Sequence, residues 1–308
     1  MVVTGLPRSG TSWVGTMLTL SRETVYVNEP MNPSHPPGRC PGVLSHDITH
    51  RFEYVPGTDP AAWRAAFQET AALRYHLIAE LRRNHAPYDL ARAAKYQAAF
   101  LLGRFTRRRA LLDDPYAVLS STWLADEIGA TVIVLVRDPV SLVGSWAALG
   151  WRADLHDLLS QPALMSEVLA DREEWLRQAA DSGDDVRSLA TLWNDVYLAV
   201  SRLPHPDVHL VRYEDLANDP VPQFRHLYEL SGLTWSPRVE QRVRTATSGE
   251  SAGGGAFSWH LRSGASRTAY SAQDSRAAVG RARQRVDYAT RRSVEHWARE
   301  GIDAFVTT

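Results

Sequence analysis

The clearest pattern of apolar and polar residues lies at the start of the chain. A short apolar run, Val2–Thr4, leads into a turn bounded by Gly5 and Gly10, and a helical pattern begins at Thr11 or Ser12. A strand, a glycine-bounded turn and a helix form an anion cradle, because backbone N–H groups converge on the turn and the helix N-terminus carries about half a unit of positive charge. The pattern therefore predicts a phosphate-binding loop.

Along the rest of the chain, short apolar runs alternate with segments of helical periodicity. The runs predict further strands, at residues 25–27, 116–119, 131–136 and 208–211. The periodic segments predict helices, at residues 61–83, 123–128, 139–149, 224–230 and 276–298, with two or three more between 155 and 203. Strands that alternate with helices imply right-handed crossovers and a parallel sheet. We therefore predict an α/β fold: a three-layer sandwich with a central parallel sheet and a P-loop-like loop, built as one domain over residues 1–308.

Composition narrows the classes of partner. The chain has 308 residues, a formal net charge of −1 and one cysteine, Cys40. A charge so near zero gives no reason to expect nucleic acid or an anionic membrane surface as a partner. A single cysteine excludes an intrachain disulfide framework and suits a reducing compartment. Apolar runs stay short of a membrane span, and the first residues form a strand and not a signal peptide. We expect a soluble, cytoplasmic protein.

The glycine loop departs from the pattern of nucleotide-triphosphate enzymes, G-x-x-x-x-G-K-[ST], in which the lysine bridges two phosphates. Gly5 and Gly10 keep the spacing, and Ser12 occupies the Ser/Thr position. Thr11 stands where the lysine would be, and the cation, Arg8, lies inside the turn. The loop is therefore expected to bind a phosphate in another way. An ordinary strand–turn–helix corner is the alternative.

A second candidate anion site follows the strand at 131–136. Arg137 leaves this strand at the point where a phosphate-hydrolysing P-loop enzyme often has a magnesium-binding Asp. Asp138 precedes a proline, which suggests a turn or a helix cap. Ser145 lies about two helical turns further on and can face the same side as the strand end. Arg137 and Ser145 thus predict a second, separate anion site, and a surface ion pair of Arg137 with Asp138 or Glu214 is the alternative.

Together these motifs resemble those of the sulfotransferases that use 3′-phosphoadenosine 5′-phosphosulfate (PAPS). Arg137 and Ser145 are similar to the family's motif for the 3′-phosphate, and Tyr213 is similar to a tyrosine that lies near the adenine. The resemblance implies PAPS as donor, 3′-phosphoadenosine 5′-phosphate (PAP) as product, and no metal. One run is similar to the family's 5′-phosphosulfate motif: Pro7, Arg8, Ser9, Gly10, Thr11, Ser12 and Trp13.

The chemistry of these residues agrees with the resemblance. PAPS carries phosphate at two separated places, so two anion contacts are expected. A sulfuryl group bears less negative charge than a phosphoryl group, so a fixed cation and backbone N–H donors could suffice without magnesium. Arg8 would then stabilise the charge that grows on the 5′-phosphate leaving group. Trp13 would pack against the purine or, equally, anchor the core.

The acceptor hydroxyl must lose a proton, which requires a base. Glu29 follows the second strand, and Glu29-Pro30 is similar to the Glu-Pro segment of carbohydrate sulfotransferases, whose Glu is the base. A structural ion pair or helix cap is the other role open to Glu29. Asp114 is the second candidate base, or a residue that binds the acceptor hydroxyl. The residue before it, Asp113, stands at the position where bacterial relatives often have Lys.

The acceptor itself is the least determined part of the reaction. Insertions at about 30–60 and 150–205 are expected to form the acceptor side, and their aromatic residues suit an apolar or sugar-ring acceptor. A small-molecule (secondary metabolite) or carbohydrate hydroxyl is expected by family analogy. The role of the loop at 248–270 stays open. A P-loop kinase-like phosphotransferase is the alternative function, although the missing lysine and Arg137 argue against it.

Overall fold

Five parallel strands form the centre of the fold. The computed structural model describes residues 1–34, 40–248 and 275–306. The strands lie in the order β2-β3-β1-β4-β5, and each neighbouring pair is parallel. Their bounds are β1 (Val2–Thr4), β2 (Thr24–Asn28), β3 (Arg109–Asp113), β4 (Val132–Val136) and β5 (Val208–Arg212). The predicted α/β fold with a parallel sheet is confirmed, with β1 as the middle strand and β4 beside it.

Helices connect and cover the strands. The longest are Pro87–Phe105 and Asp185–Ser201, and none of the helices in the described ranges is long and apolar enough to cross a membrane. In chain order the described helices are α1 (Thr11–Leu18), α2 (Pro60–Ala71), α3 (Leu77–Arg83), α4 (Pro87–Phe105), α5 (Ser121–Ile128), α6 (Pro139–Ala147), α7 (Leu155–Leu159), α8 (Pro162–Glu167), α9 (Glu173–Ala180), α10 (Asp185–Ser201), α11 (Tyr213–Asn218), α12 (Pro220–Leu230), α13 (Pro237–Thr247), α14 (Ser275–Gln284), α15 (Tyr288–Trp297) and α16 (Arg299–Val306).

Two apolar cores lie on opposite faces of the sheet, as the alternation of side chains along a strand requires. Val132 and Val134 of β4 point into one core, where helices α2, α4, α5, α6 and α10 pack. Ile133 and Leu135 of the same strand point into the other core, where α1, α11, α12 and α13 pack. Helices therefore cover both faces, and the predicted three-layer sandwich is confirmed.

Three predicted elements differ from the structure. The strand predicted at 116–119 is wrong, because β3 lies earlier and Val118–Ser120 is a buried 3-10 turn. The helix predicted at 61–83 is two helices, separated where Leu73 adopts a φ of +54°. The helix predicted at 276–298 also divides in two, α14 and α15. A buried apolar turn carries the same pattern as a short buried strand, which explains the first error.

The two predicted insertions are built differently. Residues 40–59 contain a single 3-10 turn, yet Val43, Leu44, Phe52 and Val55 belong to the core that contains β4. Residues 155–201 form four helices, α7 to α10, where two or three were predicted. Helix α10 packs against α6, α15 and α16, so the second insertion is joined to the end of the chain.

Candidate functional site

The candidate residues that follow the five strands meet at one edge of the sheet. Parallel strands end at a common edge, and ligands of such sheets bind outside the carboxyl ends of the strands. The β1–α1 loop, with Arg8, follows the middle strand. Glu29 follows β2, Asp114 follows β3, Arg137 follows β4 and Tyr213 follows β5. The topology therefore brings together residues that are distant in sequence.

The β1–α1 loop has the backbone of an anion cradle. Gly5 and Gly10 have φ values of +135° and +107°, which side chains other than glycine rarely adopt. A Cβ on Gly10 would lie 2.7 Å from Cδ2 of Tyr213. Arg8 has a φ of +77°, a strained conformation for a residue with a side chain. Within the described residues no side chain caps α1, so its first N–H groups stay open to a ligand.

Two arginines converge on this loop. The Arg137 Nη1 donates a hydrogen bond to the carbonyl oxygen of Arg8 (2.7 Å), and the Arg8 Nε donates to the Ser145 Oγ (3.2 Å). Burial lowers the pKa of Arg8, and the charge of Arg137 lowers it further. In residues 1–34, 40–248 and 275–306, no carboxylate lies within 4.0 Å of either guanidinium group. Burial raises the pKa of the Glu214 carboxyl, and the charge of Arg137 acts in the opposite direction, without a direct ion pair in the described residues. Two neighbouring cations without a carboxylate in direct contact favour an anionic ligand.

The two predicted anion sites are contiguous, because Arg8 of the first motif contacts Ser145 of the second. The predicted alternative for Arg137 differs from the observed contacts. The Glu214 carboxylate accepts a hydrogen bond from the backbone N–H of Asp138 (3.0 Å). The Asp138 carboxylate caps α6 by accepting from the backbone N–H of Ser141 (2.8 Å). The prediction of a cap at Asp138 is confirmed.

Three aromatic side chains donate hydrogen bonds to backbone carbonyl groups of the loop and of the end of β4. The Trp146 Nε1 donates to the carbonyl oxygen of Pro7 (2.7 Å), and the Trp193 Nε1 donates to that of Arg137 (2.8 Å). The Tyr197 hydroxyl donates to the Leu135 carbonyl oxygen (2.7 Å). These roles could not be predicted from the sequence, since a hydrogen bond from an aromatic side chain to a backbone carbonyl requires no particular residue spacing.

Tyr213 connects the loop with the end of β4. Its ring lies 4.8 Å from the Arg137 guanidinium carbon and 5.5 Å, edge to face, from the ring of Trp13. Trp13 also packs edge to face against Phe224 at 5.2 Å and is buried. The sequence left two roles open for Trp13, packing against the purine and anchoring the core. The structure places its ring in the core under the loop. Ser9 and Thr11 are also buried.

Glu29 lies at the neighbouring strand end, with an unusual backbone. Its φ is +45°, and its N–H donates to the carbonyl oxygen of Asp113 (2.7 Å). Its carboxylate accepts a hydrogen bond from the Asn32 Nδ2 (2.5 Å). Burial raises the pKa of Glu29, and the Asn32 bond opposes that shift. A half-buried carboxylate with a raised pKa has the properties of a general base.

Asp114 is a buried carboxyl that holds the chain after Glu29. Its two oxygens accept hydrogen bonds from the backbone N–H groups of Met31 (2.5 Å) and Tyr116 (3.0 Å). Burial raises its pKa well above the usual range. Because backbone donors occupy both oxygens, the contacts support a positioning role for Asp114 at the corner that carries Glu29.

Asp113, which the sequence did not single out as a functional residue, faces the start of α1. It is fully buried and accepts a short hydrogen bond from the Tyr26 hydroxyl. Burial raises its pKa to about 6, and hydrogen bonds from Tyr26, Thr11 and Ser12 oppose the shift. Asp113 thereby connects the β1–α1 loop with the strand end that precedes Asp114.

The insertion at about 30–60 also contains histidines that could contact an acceptor. One of them, His50, lies 3.2 Å from a carboxylate oxygen of Asp157, on α7. His35 and the loop at 248–270 lie outside the described residues, except for the start of that loop at Ser248. Within the described residues no group of three or more His, Cys, Asp and Glu side chains could hold a metal ion.

Three solved sulfotransferase structures align with this chain at low sequence identity. A sulfotransferase domain from the curacin biosynthetic pathway aligns with a TM-score of 0.47 and 13% identity, over 96% of this chain and 95% of that chain. A sulfotransferase domain from the olefin synthase of Synechococcus PCC 7002 gives 0.43 and 16%, over 96% and 93%. A sulfotransferase from Mycobacterium avium gives 0.36 and 16%, over 80% and 66%.

The sequence comparison is more decisive. None of the curated proteins matches the chain. The profile of the sulfotransferase family matches residues 1–237, which include the β1–α1 loop, Glu29, Arg137 and Tyr213. This match extends over more than half of the chain. The chain therefore belongs to the sulfotransferase family.

Proposed function

We propose that this protein transfers the sulfuryl group of PAPS to a hydroxyl of a small-molecule or carbohydrate acceptor. The observation that carries the proposal is the pair Arg8 and Arg137, which meet beside an open helix N-terminus without a carboxylate partner in the described residues. PAPS bears anionic groups at its 5′ and 3′ positions, and guanidinium groups bind phosphate through planar, paired donors.

The proposed donor site assigns one role to each contact. The N–H groups of the β1–α1 loop and Arg8 bind the 5′-phosphosulfate, and Arg137 with Ser145 binds the 3′-phosphate. Tyr213, between Arg137 and Trp13, lies beside the adenine. Fixed cations and backbone donors in a partly buried site stabilise developing charge strongly, because they need no reorganisation during the reaction.

The proposed transfer is a single in-line displacement. The acceptor oxygen attacks the sulfur atom, and its proton passes to the Glu29 carboxylate. The bond between sulfur and the bridging 5′-phosphate oxygen breaks, and its electron pair stays on that oxygen, where Arg8 stabilises the charge. The products are the sulfate ester, PAP and, transiently, protonated Glu29. Asp114 is the second candidate base, and its contacts with Met31 and Tyr116 favour Glu29.

The acceptor side is assigned to the insertions at about 30–60 and 150–205 of a single sulfotransferase domain. Helices α6 and α10 support this assignment, since their tryptophans bind the carbonyl groups of Pro7 and Arg137 from the same side. Residues that hold the donor loop thus belong to, or adjoin, the segments that would enclose the acceptor.

A thermal-shift experiment with PAP, AMP and ATP with magnesium tests the donor. A ligand at 100 times its Kd stabilises the folded protein by about 2.7 kcal/mol. We expect PAP to raise the unfolding midpoint more than AMP, because only PAP reaches Arg137 and Ser145. The variant R137M/S145A should lose the difference between PAP and AMP.

A matched control is R212M, since Arg212 is exposed and lies just before Tyr213. This variant should keep the preference for PAP. Stabilisation by ATP with magnesium and none by PAP would contradict the proposal and favour a phosphotransferase.

A further inference from the structure

A third arginine, Arg51, lies over the rings of two residues that contact the donor loop and Asp114. Its guanidinium carbon is 5.4 Å from the ring centroid of Trp146 and 6.0 Å from that of Tyr116. Trp146 is the residue that binds the Pro7 carbonyl in the donor loop. Tyr116 donates its backbone N–H to Asp114. Both rings under Arg51 therefore belong to residues that build the site.

Electrostatic contacts connect Arg51 with Glu29 through Tyr116. Burial raises the pKa of Tyr116 to about 12, and the negative charge of Glu29 contributes to the increase. The positive charge of Arg51 and a hydrogen bond from its side chain act in the opposite direction. The Tyr116 side chain therefore lies near enough to both Arg51 and Glu29 for the charge of each to act on it.

The Arg51 guanidinium has no carboxylate partner in the described parts of the chain. The Asp157 carboxylate contacts Arg51, but it accepts a hydrogen bond from the backbone N–H (2.8 Å) and not from the guanidinium group. The guanidinium donates one long hydrogen bond to the carbonyl oxygen of Arg152 (3.5 Å) and another hydrogen bond to Tyr116. Because a guanidinium has several N–H donors, it retains donors for a ligand.

The chain around Arg51 is fixed in place although it is irregular. Four side chains accept backbone N–H groups from residues 49–55. Buried Glu53 accepts from Thr49 and His50 (2.8 Å each), Asp157 from Arg51 (2.8 Å), Gln161 from Tyr54 (2.8 Å) and Ser120 from Val55 (3.0 Å). Such support is typical of a segment that holds a side chain ready for binding, because little conformational entropy is then lost with the ligand.

We propose that Arg51 and Tyr116 bind a carboxylate of the acceptor, so that the sulfated substrate is a hydroxy acid. The proposal rests on the proposed function. The planar fork of a guanidinium matches a carboxylate, and a phenol adds one donor. The contacts described for these two side chains include no second guanidinium or ammonium group, which suits a monoanion better than a phosphate dianion. The acceptor hydroxyl then faces Glu29.

Paired acceptors that differ only in charge test this subsite. The probes are 4-hydroxybenzoate and 3-hydroxybutyrate, each with its methyl ester, and the measured quantity is kcat/KM with labelled PAPS. A charge-assisted hydrogen bond contributes roughly 1.5–3 kcal/mol, which corresponds to a preference of at least about tenfold for the acid. We expect this preference in the wild type, a ratio near one in R51M, and partial recovery in R51K.

The control variant is R244M, because Arg244 is exposed, pairs with Glu240 on the same helix, α13, and lies outside the segments assigned to the acceptor side. It should keep the preference for the acid. If turnover is too slow, calorimetry on PAP-saturated protein gives the same comparison as binding constants. An equal ratio of acid to ester in the wild type and R51M, tighter binding of the esters, or no binding of either acid would overturn the proposal.

The outcomes distinguish this inference from the proposed function. Failure of PAP to stabilise the protein contradicts the proposed donor site, whatever the acceptor. Stabilisation by PAP together with an unchanged ratio in R51M contradicts only the carboxylate subsite. The unfolding midpoint of R51M, measured without ligand, shows whether the variant is folded.

Discussion

Glu29 illustrates how one neighbour can tune a carboxylate. Burial raises the pKa of Glu29, and the hydrogen bond from the Asn32 amide lowers it. A base acts only when deprotonated, so transfer should decline as the pH falls through the pKa of Glu29. In N32A the opposing bond is lost and the pKa rises further. We predict that the acid limb of kcat/KM, measured against pH, moves to higher pH in N32A.

Two further variants test the assignment on which this prediction depends. E29Q should lower kcat by about 10² to 10⁴, the usual contribution of a general base, and PAP should still stabilise it. D114N should keep transfer and lose stability by about 1 kcal/mol, because one of its two backbone contacts loses an acceptor. Activity that survives in E29Q and disappears in D114N would exchange the two roles.

At the scale of elements, the local signals in the sequence were sufficient to predict the β1–α1 loop. The strand, the glycine spacing and Arg8 lie within a few residues of each other, and the structure has the predicted conformation. The strand predicted at 116–119 failed because a buried turn and a buried strand share one apolar pattern. Its misassignment also concealed the β3 end, where Asp113 lies.

The position of Arg51 could not be predicted from the sequence. Residues 49–55 have no helical or strand periodicity, and the side chains that hold them come from positions as distant as Ser120 and Gln161. Such contacts exist only once the sheet and the α7–α8 region have assembled. Long-range polar contacts, unlike glycine spacing, produce no local pattern in the sequence from which they could be predicted.

The β1–α1 loop permits a test of its close packing. Gly10 has a φ of +107°, and an added Cβ would lie 2.7 Å from the Tyr213 ring. Gly129 also has a positive φ, +64°, but an added Cβ would contact nothing within 4 Å. We predict that G129A costs about 1 kcal/mol from backbone strain alone, whereas G10A costs more and also weakens PAP binding.

Urea unfolding and a PAP titration measure the two effects. The φ of Gly129, +64°, lies in the left-handed region that other residues can adopt, whereas the φ of Gly10, +107°, lies outside it. The excess loss in G10A therefore measures the larger backbone strain together with the contact with Tyr213. Equal losses of unfolding free energy in G10A and G129A, with PAP binding unchanged in both, would contradict the close-packed loop.

At the scale of the whole molecule, the end of the chain supports the site through α10. Helices α15 and α16 pack on α10, which carries Trp193. The N–H of Gly301 donates to the Asn194 side chain (2.7 Å), and an added Cβ at Gly301 would lie 2.8 Å from the Trp193 ring. The family profile ends at residue 237, so this support lies outside the matched region.

An ion-pair cluster of Arg172, Asp195 and Glu300 also connects α10, which carries Asp195, with α16, which carries Glu300. Arg172 contacts the fully buried Asp195 carboxylate at 2.9 Å and the exposed Glu300 carboxylate at 3.1 Å. Removal of one partner from a buried pair costs about 3–5 kcal/mol, because a charge is left unpaired, whereas an exposed pair contributes at most about 1 kcal/mol. We predict the larger loss of unfolding free energy for R172M and the smaller for E300Q.

The pH dependence of this loss has a definite sign. Burial raises the pKa of Asp195 to about 6, above its ordinary value of 3.8, although Arg172 opposes the shift. A carboxyl whose pKa is raised by folding favours the folded state at low pH and loses that contribution as the pH rises through the raised pKa. Without Arg172 the pKa of Asp195 rises further, and the buried carboxyl at pH 5 is protonated. The loss of unfolding free energy in R172M, relative to the wild type, should therefore be larger at pH 8 than at pH 5, as measured by urea unfolding. A larger loss of unfolding free energy at pH 5 than at pH 8, or equal losses in R172M and E300Q, would show that Arg172 does not stabilise the Asp195 carboxylate.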